Sequence, residues 1–164
     1  MRRLLGLVLL LWPAASMAEV NVLASAGKWQ AFSAPAGRLS VCGLRSQDGS
    51  AGFTLAYIPG TWDFEILVTD ARWPPDAARG ASVVVHLLPH GPWRAPGEAY
   101  PLPSGAAAVR VAVDANSLEP FVDQFRNSTE MQVRLEPGGH AWRAETSGTE
   151  AVGAAFVDCL RGAR

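Results

Sequence analysis

Trp62-Asp63-Phe64-Glu65-Ile66-Leu67-Val68-Thr69 sets Trp62, Phe64, Ile66 and Val68 on one side and Asp63, Glu65 and Thr69 on the other. Successive side chains of an extended chain point to opposite faces, so a period of two marks a strand with one face buried. The same alternation recurs along the chain. Phe53, Leu55 and Tyr57 precede it, and Leu39–Arg45 divides Leu39 and Val41 from Cys42 and Leu44. Val109, Val111 and Val113 follow, then Met131, Val133 and Leu135, and finally Trp142 and Ala144 beyond the Pro137-Gly138-Gly139 turn. Lys28–Ala34 carries Trp29 and Phe32, and Val83–Leu88 is a near-continuous apolar run. Short strands punctuated by Gly, Pro, Asp and Ser predict a mainly β domain, an antiparallel β-sandwich or a partly open barrel.

Two segments in the C-terminal third break this period. Leu118, Phe121, Val122 and Phe125 recur at helical spacing, as do Val152, Ala155, Phe156, Cys159 and Leu160. Asn116 with Glu119 reads as a capping box for the first helix and Asn127 as its end, while Ser147 and Glu150 would open the second. The Leu118–Phe125 stripe is expected to be core. Glu19–Gly27 reads as a small-residue lead-in.

The first eighteen residues belong to a different grammar. Arg2 and Arg3 precede the apolar run Leu4–Trp12, Pro13 breaks it, and Ser16-Met17-Ala18 supplies small residues. This is the pattern of a bacterial secretory signal with cleavage near Ala18. The run is too short for the roughly 20 residues of a membrane-spanning helix, so no span is expected after cleavage. Residues 19–164 then form a single β-rich domain in the periplasm or outside the cell. Cys42 and Cys159 are the chain's two cysteines, and an even pair in an exported protein implies a disulfide.

Of the 14 basic residues two lie in that leader, which leaves 12 against 15 acidic ones. A mildly acidic chain with no basic run offers nothing for nucleic acid or for an anionic membrane surface.

By its ends the chain resembles the invasion-associated locus B family of small exported bacterial proteins. The likeness is carried by Gly27-Lys28-Trp29-Gln30-Ala31-Phe32 with Cys42 following. Near the C-terminus it is carried by Phe121-Val122-Asp123-Gln124-Phe125-Arg126-Asn127-Ser128, the strand Met131–Leu135, and Thr146-Ser147-Gly148-Thr149-Glu150-Ala151 with Cys159. The resemblance implies a periplasmic or surface-associated β-sandwich, linked in some members to invasion of host cells. It brings no catalytic residues, and the middle of the chain lies outside it.

Catalytic motifs do not stand out. There is no G-x-S-x-G elbow, S-x-x-K or H-E-x-x-H. His86, His90 and His140 read as ordinary turn or sheet residues, with no metal or other cofactor expected. Asp63 and Glu65 share one strand face, and because the other face is apolar they mark the solvent side rather than a glycosidase pair. The aromatic residues of the middle are different. Trp73 and Trp93 stand beside prolines, and five prolines (Pro89, Pro92, Pro96, Pro101 and Pro103) together with Tyr100 fall in the following stretch. Trp73, Trp93 and Tyr100 are therefore the expected partner surface. The sequence reads as a non-enzymatic exported protein that binds another protein or an envelope component. A small periplasmic inhibitor or chaperone-like factor acting on a hydrolase comes second, and a small hydrolase third.

Overall fold

The structure is a computed structural model that describes residues 20–57, 63–74, 76–102 and 107–162. The expected leader, Trp62 and Pro103 lie outside the described residues. The chain runs β1 (Asn21–Ala26), β2 (Trp29–Ala36), β3 (Leu39–Asp48), β4 (Ala51–Tyr57), β5 (Asp63–Asp70), β6 (Ser82–Leu88), β7 (Pro92–Pro96), β8 (Glu98–Ala99) and β9 (Ala108–Asp114). Helix α1 (Ala115–Arg126), β10 (Glu130–Glu136), β11 (Ala141–Glu145) and α2 (Glu150–Gly162) complete it.

Two antiparallel sheets face each other without closing into a barrel. One is seven-stranded in the order β1-β2-β3-β4-β5-β9-β8, the other four-stranded in the order β11-β10-β6-β7. Register converts the period-two pattern into rows. Ala31, Leu44, Leu55, Ile66 and Val111 lie side by side across the larger sheet, and Trp29, Ser46, Phe53, Val68 and Val109 form the row beside them. In the smaller sheet Trp142, Val133, Val85 and Trp93 form a matching row. These rows bury each other, which is why one missed register would turn the whole apolar set toward water.

The four-stranded sheet is too narrow to cover the larger one. Helix α2 packs over β1, β2 and β3 and against α1. The apolar stripe of α1 reaches both sheets. Phe125 meets Trp29 edge-on at 4.8 Å, Phe121 stacks on Phe53 at 6.4 Å, and Trp93 meets Phe121 at 5.7 Å. Gly153 lies where the two helices cross, and a Cβ there would run into the Arg126 side chain.

Three expectations about local structure change. The lead-in before Gly27 is strand β1. Its small residues Ala24 and Ala26 carry no strong strand signal of their own, yet they pair with β2 and pack against the core beneath α2. The start of α1 is set by Asp114, whose Oδ1 accepts the Asn116 N–H at 2.7 Å, and not by an Asn116–Glu119 box. Asn127 does end that helix. At α2 the buried Thr149, not the exposed Ser147, stands immediately before the first helical residue, and its hydroxyl donates to the Thr146 carbonyl at 2.8 Å.

Its prolines restrict the middle of the chain to loops or edge segments, and it takes the edge form. It supplies two edge strands, β7 at one end of the smaller sheet and β8 at one end of the larger, so the chain steps from one sheet to the other at Gly97. Gly97 donates its N–H to the Ala81 carbonyl at 2.9 Å, and any Cβ there would collide with Val109. Prolines suit edge strands, where the missing donor is not needed by a second neighbour.

Cys42 on β3 is bonded to Cys159 on α2, with their Cα atoms 5.9 Å apart and 117 positions between them in sequence. A loop of that length sets an upper entropic contribution of about 5 kcal/mol. Cys42→Ser with Cys159→Ser should therefore lower the unfolding free energy by several kcal/mol in urea melts. Alkylation of the unreduced wild-type protein should find no free thiol, and two alkylated cysteines would remove the covalent tie between sheet and helix.

Candidate functional site

An opening lies between the sheets beside β7, β9 and the start of α1. A cleft of about 140 Å³ enters there, floored by Ile66 and Val111 of the larger sheet and Val83 and Val85 of the smaller. Trp93 forms one wall and Phe121 another, while Asp114 and Ser117 stand at its rim. Larger hollows, of about 380 and 550 Å³, are lined by charged and turn residues such as Lys28, Asp48 and Arg143, or Arg134, Glu136 and Pro137. The smaller cleft has the apolar walls that usually hold an apolar group.

Trp93 is fixed from two directions. Its indole N–H donates to Gln124 Oε1 at 2.7 Å, and its ring stands edge-on to Phe121 at 65°. It is half-buried, so one part of the ring belongs to the core and the rest to the cleft. Phe121 is core, as its helical spacing predicts, and is also part of the cleft wall. No property of the α1 stripe read alone distinguishes that residue from Phe125, because only the opposite sheet edge decides which ring meets solvent.

The three aromatic residues expected to share a surface are not together. Trp73 is only 5 % exposed and belongs to the core, so the expectation that it faces a partner is corrected. The cause is the turn that follows β5. Asp70 Oδ1 accepts the Arg72 N–H at 2.9 Å and the Ser50 hydroxyl at 3.3 Å, and the Trp73 N–H returns to the Asp70 carbonyl at 3.1 Å. The chain is thereby folded back and the indole enters the core. Tyr100 is exposed at 40 % and follows β8, donating its N–H to the Ala108 carbonyl. The Arg110 guanidinium lies 5.9 Å from its ring centroid, and that same Arg110 pairs with Glu98 at 2.9 Å and Glu65 at 3.7 Å. Of the three, Trp93 alone lines the cleft.

Of the remaining polar candidates, the His86 and Glu65 side chains have local partners, whereas His90 Nε2 is buried with none among the described residues. His86 Nε2 lies 2.7 Å from the His90 carbonyl, which ties strand to turn, and the His140 carbonyl accepts the Leu135 N–H across the β10–β11 hairpin. Among the described residues no group of three His, Cys, Asp or Glu side chains is placed to hold a metal. Glu65 sits at the surface with Arg110. Buried hydroxyls are instead structural. The Ser128 hydroxyl reaches the Phe125 carbonyl and the Thr146 hydroxyl, each at 2.8 Å, and so joins the end of α1 to the approach to α2.

Taken as a whole, the molecule is a β-sandwich with two helices, tied by one disulfide between sheet and C-terminal helix. In that fold it resembles the crystal structure of invasion associated protein B from Bartonella henselae, with a TM-score of 0.57 over 91% of this chain and 100% of the other. The two sequences are 10% identical, so the likeness is one of fold. No protein-family model matches the chain, and no curated protein matches it in sequence.

Two predictions follow from the turn and the cleft. Trp73→Ala should cost about 3–5 kcal/mol of stability, as for a large buried aromatic residue, whereas Trp93→Ala, already part-open to solvent, should cost clearly less. Thermal melts of the two variants side by side would show this ranking, and equal losses would make Trp93 a core residue only. The Arg72 guanidinium, hydrogen-bonded to Asp70, holds that carboxyl below its ordinary range despite its burial. A carboxyl lowered on folding stabilises above its unfolded value of about 3.9 and loses that contribution as pH falls through the folded value. Asp70→Asn should thus be less stable at neutral pH and should flatten the acid side of the stability curve, read from urea midpoints between neutral pH and strong acid.

Proposed function

We propose that this is an exported, non-enzymatic binding protein of the bacterial envelope, recognising another protein or an envelope component through the Trp93 cleft. The observation that carries the reading is the state of Trp93: a large ring held in place by Gln124 and Phe121, yet partly presented to solvent at the mouth of an apolar cleft. A side chain fixed before binding loses little conformational entropy on binding, which is the property of an anchoring residue. The secretory pattern at Met1–Ala18 and the disulfide agree with an oxidising compartment. The fold shared with invasion associated protein B supports the envelope assignment.

The full chain, produced with its leader in a bacterial host, should reach the periplasmic fraction as a mature form beginning at Glu19. Purified mature protein should then bind envelope extract in a sedimentation assay. Trp93→Ala should weaken that binding by roughly 30-fold, the equivalent of about 2 kcal/mol for a central aromatic anchor. Retention in the cytoplasm with the leader attached, or binding indifferent to Trp93, would count against the proposal.

A further inference from the structure

The two edges of β9 are treated differently. On one side β5 pairs with it along its whole length, from Asp63 opposite Asp114 to Thr69 opposite Ala108. On the other side β8 pairs only with Val109 and Arg110, and the Tyr100 N–H adds one bond to the Ala108 carbonyl. The ladder stops there because the chain has turned at Gly97 into the opposite sheet. No other strand among the described residues pairs with this edge of β9 beyond Arg110.

Strand geometry says which groups are left over. The backbone N–H and C=O of alternate residues point to the same edge, and the Tyr100–Ala108 bond puts those of Ala108 on the β8 side. Those of Arg110 and Ala112, together with the Asp114 N–H, share that direction. Ala112 is exposed, so a donor and an acceptor at strand spacing face outward beside the cleft. Unpaired strand groups of this kind are a template for another strand. The side chains of Val111 and Val113 point inward on either side of Ala112, so a residue paired opposite either of them would direct its own side chain into the cleft. At about 140 Å³ the cleft has room for one such group. An apolar cavity of about 150 Å³ takes a benzene molecule.

Deepening the binding-protein reading, on which it rests, we propose that an extended segment of a partner polypeptide adds to β9 beyond Arg110 and lodges one bulky apolar side chain in the cleft beside the Trp93–Phe121 pair. The occupant's chemistry is set by both halves of the site. The open edge asks for alternating amide donors and acceptors, which an extended peptide presents and a free lipid or sugar does not. The cleft asks for a single phenyl or branched aliphatic group. The added strand would continue the ladder that β8 begins, so the sheet is extended and not remade. Main-chain bonds then supply affinity, and the anchoring side chain supplies selectivity.

The test uses the oxidised mature domain against a random nonapeptide library displayed on phage. Selected peptides should share one large apolar residue, slow hydrogen exchange at the Ala112 amide, and lose at least about tenfold in affinity with Trp93→Ala. Ala112→Pro deletes the outward N–H, with which no backbone group among the described residues pairs, and should cause a comparable loss while leaving the circular dichroism spectrum unchanged. If that variant fails to fold, N-methylation of the peptide at alternate residues asks the same question from the ligand's side. Peptides whose binding survives both changes, or a library that yields no binder, would overturn the proposal. Envelope binding that needs Trp93 but ignores Ala112→Pro would remove strand docking and leave the broader reading standing.

Discussion

A seven-stranded sheet lies against a four-stranded one, and the excess apolar face of the larger sheet must be kept from water by something that is not a strand. The answer centres on Trp29. It is 1 % exposed, its ring lies between Phe53 of its own sheet and Phe125 of α1, and its indole N–H donates to the Glu145 carbonyl at 2.8 Å. One residue thus engages the larger sheet, the first helix and the last strand of the smaller sheet. A buried indole without that acceptor would carry the cost of an unmade hydrogen bond. With it, the smaller sheet is placed over the middle of the larger one, and α2 is left the β1–β3 end to cover, where the Cys42–Cys159 bond holds it.

Much of this frame is readable in the sequence because it depends on short-range patterns. Phe64, Ile66 and Val68 alternate in sequence and face the core in the structure, and Leu118, Phe121, Val122 and Phe125 are buried along one helix face. The pairing of Cys42 with Cys159 needed only their number and the expectation of an exported chain. What escaped depends on distant partners. Ala24 and Ala26 form a strand because a helix from the far end of the chain packs there. Trp73 is core because Asp70 and Arg72 fold the chain back, a turn that leaves no mark in apolar spacing. The edge position of β7, by contrast, was within reach, since Pro92 and Pro96 restrict their stretch to a loop or an edge segment.

The candidate site was legible only in part, for a related reason. Trp93 stood out as an aromatic residue among prolines, but its cleft is assembled from β5, β6, β9 and α1, segments whose own patterns say only that they are buried. The residues that carry the family likeness help little here. Trp29, Cys42, Phe125, Ser128, Thr146, Thr149 and Cys159 all serve the joint between sheets and helices, so they report on the fold. Phe121 and Gln124 are the exceptions, since one meets the Trp93 ring and the other holds its indole. The opposing residues come from the middle of the chain, where that likeness is silent.

The position of the last helix also bears on when the domain can exist at all. A ribosome, or a translocation channel, delivers the chain from its N-terminus, so β1, β2 and β3 emerge first. Their inner surface, with Leu44 and Cys42 fully buried in the finished protein, is covered by Glu150–Gly162, which arrives last. Until then the early meander has apolar residues with nothing to bury them, and its cysteine has no partner. Contacts between such distant parts of a chain form late. The architecture therefore postpones cooperative closure to the end of delivery, when the segment that covers the first strands has at last been made.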